Sequence, residues 1–466
     1  MAFEKSTGRL SFWEKAGYGF GDLASVLYWQ TISSYLLYFY TDVFGITAAA
    51  AGTMILVTRM WDGVNDPLMG IIADRTNTRW GKFRPYLLWM SVPLAIMGVL
   101  TFSVPDFGYS GKLIYAYVTF TLFMMLYTAI NIPYSSLLGV ITPDSVERTS
   151  VASFKYTFAF ASGILVSAIA LPLATHLDKS YPGKGWSITM AIFGAFAVVF
   201  FLVTFLSTKE RVQPPPKQKT SIKQDLLDLA ANRPWLILLI ATMLIILFVA
   251  TRMSVTTHYF KYYVGTQTLS FLGKSYTFEF DVLTSAFNTV GQAFAFLGVI
   301  ATAPMARLFG KKRAFLILFV LAALSTAVFY FLKPEHLLLI FLFQILNTFS
   351  SGPLTPLLWA MYADTADYSE WKNGRRATGL VFSASTMSQK FGWAIGTAFA
   401  GWLMSFFGFK ANIVQSDQVQ HGIVMLMSVI PAALGALSIL VMYFYKLDDK
   451  TMEQIQAELE ARRTSE

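Results

Sequence analysis

Residues 208–235, TKERVQPPPKQKTSIKQDLLDLAANRPW, form a polar, proline-rich segment near the middle of a chain that is otherwise strongly apolar. Of the 466 residues, 55% are hydrophobic and 14% are charged, and the mean hydropathy is +0.52. Soluble domains carry about 25% charged residues, so the composition excludes an ordinary water-soluble enzyme. We interpret the segment as a loop that joins two halves of a polytopic membrane protein.

Apolar stretches of about 20 residues, enough to cross about 30 Å of hydrocarbon, recur on both sides of this loop. They predict twelve transmembrane helices, at residues 17–41, 46–73, 84–104, 112–140, 149–174, 186–207, 234–262, 281–306, 314–332, 336–362, 376–407 and 421–445. Basic loops at matching places in both halves favour two parallel repeats with a substrate site between them. The predicted fold is an all-α membrane protein of two six-helix bundles. Its domains would be residues 1–207, a cytoplasmic loop 208–233, residues 234–446 and a cytoplasmic tail 447–466.

The distribution of charge predicts the orientation. Of the 36 Lys and Arg residues, 25 fall on the side that holds both termini and seven on the other, a bias typical of cytoplasmic loops. The same bias explains the net charge of +9 without a nucleic-acid partner. The chain has no cysteine, its four histidines lack ligand spacing, and it has no phosphate-binding loop, so we expect no enzymatic activity and no cofactor.

Ionisable residues at membrane depth cost roughly 2.5–3.5 kcal/mol each on insertion scales, so each marks a candidate functional site. The densest group lies in the second predicted span. Steps of three and four residues place Arg59, Asp62 and Asp66 on one helical face, with Asn65 beside them. These oxygens suit Na⁺ or Li⁺, and the two carboxylates could instead share one proton. The alternative is a packed interface in which Arg59 neutralises one acid, which leaves one negative charge over.

Polar residues in other spans are candidate ligands. Asp22 could bind sugar hydroxyls or pair with a cation of the fifth span, while Thr128 could reach a cation and Asn131 a sugar hydroxyl. Lys155 and Lys390 occupy corresponding places in the two halves, where they could compensate the carboxylates or donate to substrate oxygens.

Among the many aromatic residues, Trp29 and Trp359 fall in the middle of predicted spans, where the apolar face of a sugar could stack. Packing within the membrane is the other interpretation of both. Arg252, in the seventh span, has no obvious partner in the sequence, and we interpret it as structural.

Six motifs resemble the glycoside–pentoside–hexuronide:cation symporters of the major facilitator superfamily, and the resemblance covers nearly the whole chain. They are YGFGD at 18–22, FYTDVFG at 39–45, RMWDGVNDPLMG at 59–70, RWGKFRPY at 79–86, YTAINIPY at 127–134 and DYSEWKNGRRATG at 367–379. The resemblance implies uptake of a sugar together with a cation. It assigns the cation site to Asp62, Asn65, Asp66 and Thr128. It assigns the sugar site to Asp22, Tyr127, Asn131, Lys155, Trp359 and Lys390.

The chain departs from the best-known member, the melibiose permease, at sugar-binding positions. That protein is expected to have Asp where this chain has Asn131, Trp where it has Ser135, and Asp where it has Val26, although Asp22 lies one turn away. Lys155 stands where many members have Arg. We therefore expect a glycoside of another sugar, a pentoside or a uronide instead of melibiose.

The resemblance implies alternating access driven by Na⁺ or H⁺ at Asp62 and Asp66, in a monomer of the cytoplasmic (inner) membrane surrounded by lipid. Charged residues are expected to act as a gate or charge lock: Arg59, Asp74, Arg75, Asp144, Arg148, Asp364 and Arg375. One rival function keeps the fold and carries a lysophospholipid or another amphiphile. A second is a sensor that binds sugar without moving it, whose only output segment would be the tail.

Overall fold

The computed structural model describes residues 9–212, 229–271, 274–374 and 378–465, most of which are helical. The first half contains α1 (Phe12–Tyr38), α2 (Ala48–Arg75), α3 (Arg84–Trp89), α4 (Ser91–Thr101), α5 (Tyr109–Val140), α6 (Ser145–Ser180) and α7 (Gly185–Ser207). The second half begins with α8 (Arg233–Tyr259), strands β1 (Gln267–Phe271) and β2 (Lys274–Phe278), α9 (Phe280–Ile300), α10 (Thr302–Phe309) and α11 (Lys311–Ala327). It ends with α12 (Leu337–Ser351), α13 (Leu354–Asn373), α14 (Thr378–Phe406), α15 (Asp417–Met427), α16 (Val429–Tyr443) and α17 (Asp449–Ser465).

Eight helical segments in the described part of the chain are long and apolar enough to cross a membrane. They coincide with the fourth to tenth and the twelfth predicted spans. The remaining four spans also fall on helices, namely α1, α2, α3 with α4, and α14. Helix α2 has less apolar character than a simple anchor because it carries Arg59, Asp62, Asp66, Asp74 and Arg75.

Local sequence explains where several helices begin. Ser11 and Thr47 stand just before α1 and α2, and each side-chain oxygen accepts a hydrogen bond from a backbone N–H of the first turn. Asn232 caps α8 in the same way. Pro234 occupies the first turn, where backbone N–H groups have no partner within the helix, so the missing N–H of proline costs nothing. The polar end of the middle loop therefore stops at a defined helix start.

Helices α1 and α8 both continue into a short π-helix, Phe39–Val43 and Phe260–Val264. Each π-helix begins at the phenylalanine of a Tyr-Phe pair and ends within two residues of a glycine, in YFYTDVFG at 38–45 and YFKYYVG at 259–265. Such π turns are rare and concentrate at functional positions. The two halves thus share a local irregularity as well as their basic loops.

Strands β1 and β2 add a two-stranded antiparallel hairpin between α8 and α9, in the segment that separates the seventh and eighth predicted spans. Gln267 pairs with Phe278, and hydroxyl contacts join Thr268 to Thr277 at 3.2 Å and Ser270 to Ser275. Cross-strand Thr and Ser pairs of this kind stabilise hairpins, so a segment too polar to enter the membrane still has regular structure.

The predicted tail contains α17, which packs against the second half. Met452, Ile455 and Leu459 recur at steps of three and four, and all three are buried in one hydrophobic cluster with Trp235. The indole Nε1–H of Trp371 also donates to the Glu458 carboxylate over 2.6 Å. The tail is therefore an amphipathic helix that packs on the second half. The sequence analysis did not predict this helix because the tail has a low overall hydrophobicity.

Two compact units account for the chain. The first comprises residues 1–217, 281–289 and 410–413, and the second comprises residues 218–280, 290–409 and 414–466. The main division falls inside the proline-rich segment. The domain boundaries given above stay a prediction.

Candidate functional site

The carboxylates of α2 meet a hydroxyl of α5 inside the first unit. The Thr128 hydroxyl lies 2.6 Å from Asp62 Oδ1, to which it donates, and 3.1 Å from Asp66 Oδ1. Asp62 and Thr128 are each only 3% exposed. Asn65 is half-buried on the same side of α2. Three oxygen-bearing side chains therefore converge at one buried point, the hard-oxygen chemistry that a small cation prefers.

Prolines follow both polar groups. Pro67 lies within α2 directly after Asp66, and Pro133 lies within α5 five residues after Thr128. A proline has no N–H to give the carbonyl four residues earlier, so Gly63 and Ala129 lose a regular helical partner. Each helix therefore lacks one regular backbone hydrogen bond near the carboxylate cluster.

Arg59 lies one turn before Asp62 and is buried, with its guanidinium carbon 4.5 Å from the centre of the Trp29 ring. The Trp29 ring in turn stacks on Tyr127, with centroids 6.2 Å apart and planes 25° apart. Tyr127 directly precedes Thr128 in α5. Arg59, grouped above with the charge-lock residues, is therefore placed beside the aromatic pair and the carboxylate cluster.

Asp22 and Lys155 face each other across α1 and α6, with Nζ and Oδ1 3.8 Å apart. The Lys155 ammonium also lies 5.6 Å from the centre of the Tyr134 ring. Tyr134 stacks on Tyr18 at 4.7 Å, and each hydroxyl donates to the backbone carbonyl of the other residue. Lys155 and Asp22 therefore offer a hydrogen-bond donor and an acceptor of opposite charge, next to the stacked tyrosines.

Three other predicted sugar ligands lie on α5, α13 and α14. The Asn131 amide donates to the Tyr127 carbonyl oxygen at 3.0 Å, as side chains within helices often do. In the second unit, Trp359 stacks on Phe382 with planes only 1° apart, and Lys390 is half-buried on α14. Trp359 thus already has one ring face covered by an aromatic neighbour.

The predicted charge-lock residues differ in their surroundings. Asp364 forms an ion pair with Lys311, a partner that no pattern in the sequence indicates. Arg148 donates to the Thr142 carbonyl oxygen at 3.1 Å. Asp144, Asp74 and Arg75 are exposed at helix ends, and Arg375 lies outside the described residues. Their role as a lock stays a prediction.

Glu210, at the start of the middle loop, makes the most extensive contact that sequence reasoning missed. Its carboxylate accepts hydrogen bonds from three successive backbone N–H groups, those of Lys82, Phe83 and Arg84, at 2.8–3.0 Å. A β-carbon on Gly81 would lie 2.5 Å from this carboxylate, and the φ of Gly81 is +108°. Only glycine fits there, which explains the glycine of the RWGKFRPY motif.

The neighbouring residue extends this contact to other loops. Arg211 forms a two-pronged ion pair with Glu14 of α1, with N–O distances of 2.6 and 2.9 Å. The backbone N–H groups of Arg211 and Val212 both donate to the Val140 carbonyl oxygen at the end of α5. Residues 210–212 therefore connect the loop at 82–84, the start of α1 and the end of α5 in the first unit.

We expect Glu210→Ala to expose the loop at residues 79–84 to trypsin. The substitution leaves three N–H groups without their charged acceptor, and each such hydrogen bond contributes about 1.5–3 kcal/mol. Cleavage after Arg79 or Lys82 should become at least roughly tenfold faster in detergent micelles, since tenfold corresponds to about 1.4 kcal/mol. Glu453→Ala, at an exposed glutamate of α17, is the control. Equal cleavage rates in both variants would mean that the contact does not hold the loop.

Arg252 has definite partners in the second unit. Its guanidinium donates to the Asn347 side-chain oxygen at 2.9 Å and to the Gln344 oxygen at 2.8 Å, and it lies over the Phe329 ring at 4.7 Å. The Asn347 amide donates onward to the Ala322 carbonyl oxygen and to Thr326. Arg252 is therefore held by amide dipoles that join α8, α11 and α12, which fits the structural interpretation.

Residues 17–449 match the family described as MFS/sugar transport protein. The chain belongs to that family. It is a membrane transporter and not an enzyme. It is 37% identical to a putative glycoside/cation symporter, YagG, of Escherichia coli (strain K12), over 98% of this chain and 97% of the relative. It is 35% identical to an isoprimeverose transporter of Lactiplantibacillus pentosus, over 97% and 92%. It is 30% identical to a glucuronide carrier protein homologue of Escherichia coli (strain K12), over 98% and 97%.

Solved structures place the transporter in the major facilitator fold. A bacterial homologue of the human lysosomal transporter Spinster, inward-facing and unoccupied, matches with a TM-score of 0.65 at 13% identity, over 95% of this chain and 100% of that one. The nucleoside transporter NupG matches with a TM-score of 0.61 at 15% identity, over 94% and 100%. The predicted fold class and family are therefore confirmed.

Proposed function

We propose that this transporter is a secondary active symporter that takes up a sugar together with Na⁺ by alternating access. The observation that carries the proposal is the meeting of Asp62, Asp66 and the Thr128 hydroxyl at one buried point. Two carboxylates at membrane depth are costly unless a cation compensates them. Relatives named as a glycoside/cation symporter and an isoprimeverose transporter support the sugar and the coupling cation.

The chemistry of the cluster favours Na⁺ over H⁺. A proton shared by two carboxylates needs no further ligand, whereas a metal cation needs several oxygens to replace its water. Thr128 and Asn65 provide such neutral oxygens next to the carboxylates. The Thr128 hydroxyl can rotate and turn a lone pair towards the ion when it stops donating to Asp62. Li⁺ fits the same ligands.

The five charged side chains of the carboxylate cluster, its neighbour Arg59 and the Asp22–Lys155 pair favour a neutral sugar. Arg59 and Lys155 are cations, while Asp22, Asp62 and Asp66 are anions, so these five side chains sum to one negative charge. One Na⁺ brings the sum to zero, and a uronide would restore an uncompensated charge. We therefore propose a glycoside or pentoside as the cargo, with Asp22 and Lys155 offering an acceptor and a donor to its hydroxyls.

In the proposed cycle, Na⁺ and sugar each change the affinity of the transporter for the other. Na⁺ neutralises one of the two carboxylates, which lowers the cost of closing the site over the sugar. If Na⁺ tightens sugar binding by some factor, sugar must tighten Na⁺ binding by the same factor. The loaded carrier then opens to the other side of the membrane and releases both.

The proposed location is the cytoplasmic membrane of a bacterium, with both termini in the cytoplasm. The distribution of Lys and Arg predicts this orientation. A relative that is 35% identical, from Escherichia coli (strain K12), is named an inner membrane symporter.

Uptake into proteoliposomes tests the proposal. Labelled neutral glycosides and pentosides, isoprimeverose among them, and a labelled glucuronide would each be offered with an inward Na⁺ gradient and, separately, with a proton gradient. We expect a neutral sugar to accumulate with the Na⁺ gradient alone, and Asp66→Asn to lose this accumulation.

The other outcomes discriminate among the alternatives. Accumulation driven by the proton gradient alone would overturn Na⁺ coupling, and accumulation of the glucuronide alone would overturn the charge argument. If no sugar accumulates under either gradient, sugar symport is wrong, and a lysophospholipid would be the next cargo to offer.

A further inference from the structure

A buried arginine stands between the carboxylate cluster and an aromatic pair. Arg59 is on the same face of α2 as Asp62 and Asp66, one and two turns before them. Its guanidinium carbon is 4.5 Å from the centre of the Trp29 ring of α1. The guanidinium therefore experiences two attractions, one from the carboxylates and one from the face of the indole ring.

The two attractions respond differently to a bound cation. Na⁺ between Asp62 and Asp66 cancels one of the two carboxylate charges that draw Arg59 along α2, so this attraction falls by about half. The attraction of the Trp29 ring does not change, because it arises from the quadrupole of the ring. Cation occupancy should therefore press the guanidinium more firmly onto Trp29, and a fixed Trp29 should help to keep Arg59 away from the cation site.

The ring that receives Arg59 belongs to the surface assigned to the sugar. Trp29 is half-buried and stacks on Tyr127, whose next residue, Thr128, donates to Asp62 and lies within hydrogen-bond distance of Asp66. The position of the aromatic pair is thus connected to the cation site twice, by the guanidinium on α2 and by the backbone of α5.

We propose that the contact between Arg59 and Trp29 couples cation occupancy to sugar affinity. The inference rests on the proposed symport and deepens it, because it names the pair through which one ligand changes the affinity for the other. Trp29 acts here as a positioning residue for Arg59. A role as a stacking platform for sugar alone predicts no effect of Trp29 on Na⁺ binding in the absence of sugar.

The test is Na⁺ titration of the purified transporter in nanodiscs, without sugar, followed by calorimetry or a fluorescent readout. Trp29→Leu removes the ring face, so Arg59 should turn towards Asp62 and Asp66 and compete with Na⁺. We expect the Na⁺ Kd to rise about tenfold, which corresponds to about 1.4 kcal/mol, the size of a cation–π contact shielded from water. Trp29→Phe retains a ring and should show a smaller rise.

A double-mutant cycle identifies the route. In an Arg59→Met background the competing guanidinium is absent, so Trp29→Leu should then change the Na⁺ Kd less than twofold. Independent effects that simply add would overturn the proposal, since the loss would not pass through Arg59. Trp89→Leu, at a Trp of α3 that is 42% exposed, is the matched control.

The factor by which Na⁺ changes the sugar Kd gives a second readout. In the wild-type protein, Na⁺ should tighten sugar binding by a factor of roughly 5–150, and sugar should tighten Na⁺ binding equally. Trp29→Leu should bring this factor to within about twofold of one. A variant that binds sugar more weakly but keeps the wild-type factor would overturn the inference. If the wild-type protein itself shows no Na⁺-dependent sugar binding, the proposed function is at fault instead.

Should Trp29→Leu fail to fold, Trp29→Phe and Arg59→Lys provide the same comparison. Lysine keeps the charge and loses the planar group that stacks on an indole ring. Wild-type coupling factors in both of these variants would overturn the proposal.

Discussion

Asparagine in place of Asp62 is expected to raise the Na⁺ Kd at least a hundredfold and to abolish Na⁺-driven accumulation of sugar. Asp62 is 3% exposed and takes the shorter of the two Thr128 hydrogen bonds, so its charge acts where water screens it little. A hundredfold change corresponds to about 2.7 kcal/mol, a modest share of the attraction between a buried carboxylate and a cation in contact with it. Na⁺ titration and gradient-driven uptake measure the two effects.

Sugar counterflow without an ion gradient shows whether the Asp62→Asn protein is folded, and we expect it to persist. Asp106→Asn, at an exposed aspartate in the loop between α4 and α5, is the matched control and should behave as wild type. A Na⁺ Kd within threefold of wild type in Asp62→Asn would move the cation site away from α2.

Leucine in place of Asn347 is expected to lower the Tm of the detergent-solubilised transporter by about 4 °C. The substitution removes an oxygen that accepts from Arg252 and two donor contacts to α11, so it leaves a buried guanidinium partly unsatisfied. Asn347 makes one hydrogen bond to a charged group, which contributes about 1.5–3 kcal/mol, and two neutral ones, which contribute about 1 kcal/mol each. With an unfolding entropy of about 2.1 cal/mol/K per residue, 1 kcal/mol shifts the Tm of a chain of 466 residues by about 1 °C. Thermal unfolding followed by intrinsic fluorescence measures the shift.

If Asn347 stabilises the protein by satisfying Arg252, a second result is expected. Adding Arg252→Met to Asn347→Leu removes the stranded charge, so the double variant should melt above the single variant. Asn373→Leu, at an exposed position on α13, should change Tm by less than about 2 °C, as surface substitutions usually do. A double variant that melts below Asn347→Leu would show that Arg252 stabilises this region without its amide partners.

The helical positions and the carboxylate cluster were accessible to sequence reasoning for simple reasons. Membrane spans are long apolar runs, and residues three and four apart share a helical face. The spacing of Asp62 and Asp66 alone therefore places them together on α2. Thr128 was a candidate cation ligand from its place in a span, and the family resemblance then assigned it to the same site as Asp62 and Asp66. No pattern in a single sequence shows which face of α5 meets α2.

The contacts that escaped prediction join residues far apart in the sequence. Glu210 binds backbone groups some 127 residues away, and backbone N–H groups leave no trace in the sequence beyond the nearby Gly81. Lys311 and Asp364 pair across 53 positions, where any of several basic loop residues was an equal candidate. The hairpin and α17 were missed because neither is apolar enough to resemble a span, although Met452, Ile455 and Leu459 do show helical spacing.

The single excess negative charge among Arg59, Lys155, Asp22, Asp62 and Asp66 makes the proposed cycle sensitive to voltage in one direction only. Loaded with Na⁺, these groups carry no net charge, so the interior-negative potential of a respiring cell neither helps nor hinders the inward step. Without Na⁺ these five groups keep their negative charge, and an interior-negative potential drives that charge outward. The gain is at most about 2.3 kcal/mol per 100 mV, if the charge crosses the whole field. An energised membrane would thus hasten the return of the empty transporter, and with it the start of each new round of uptake.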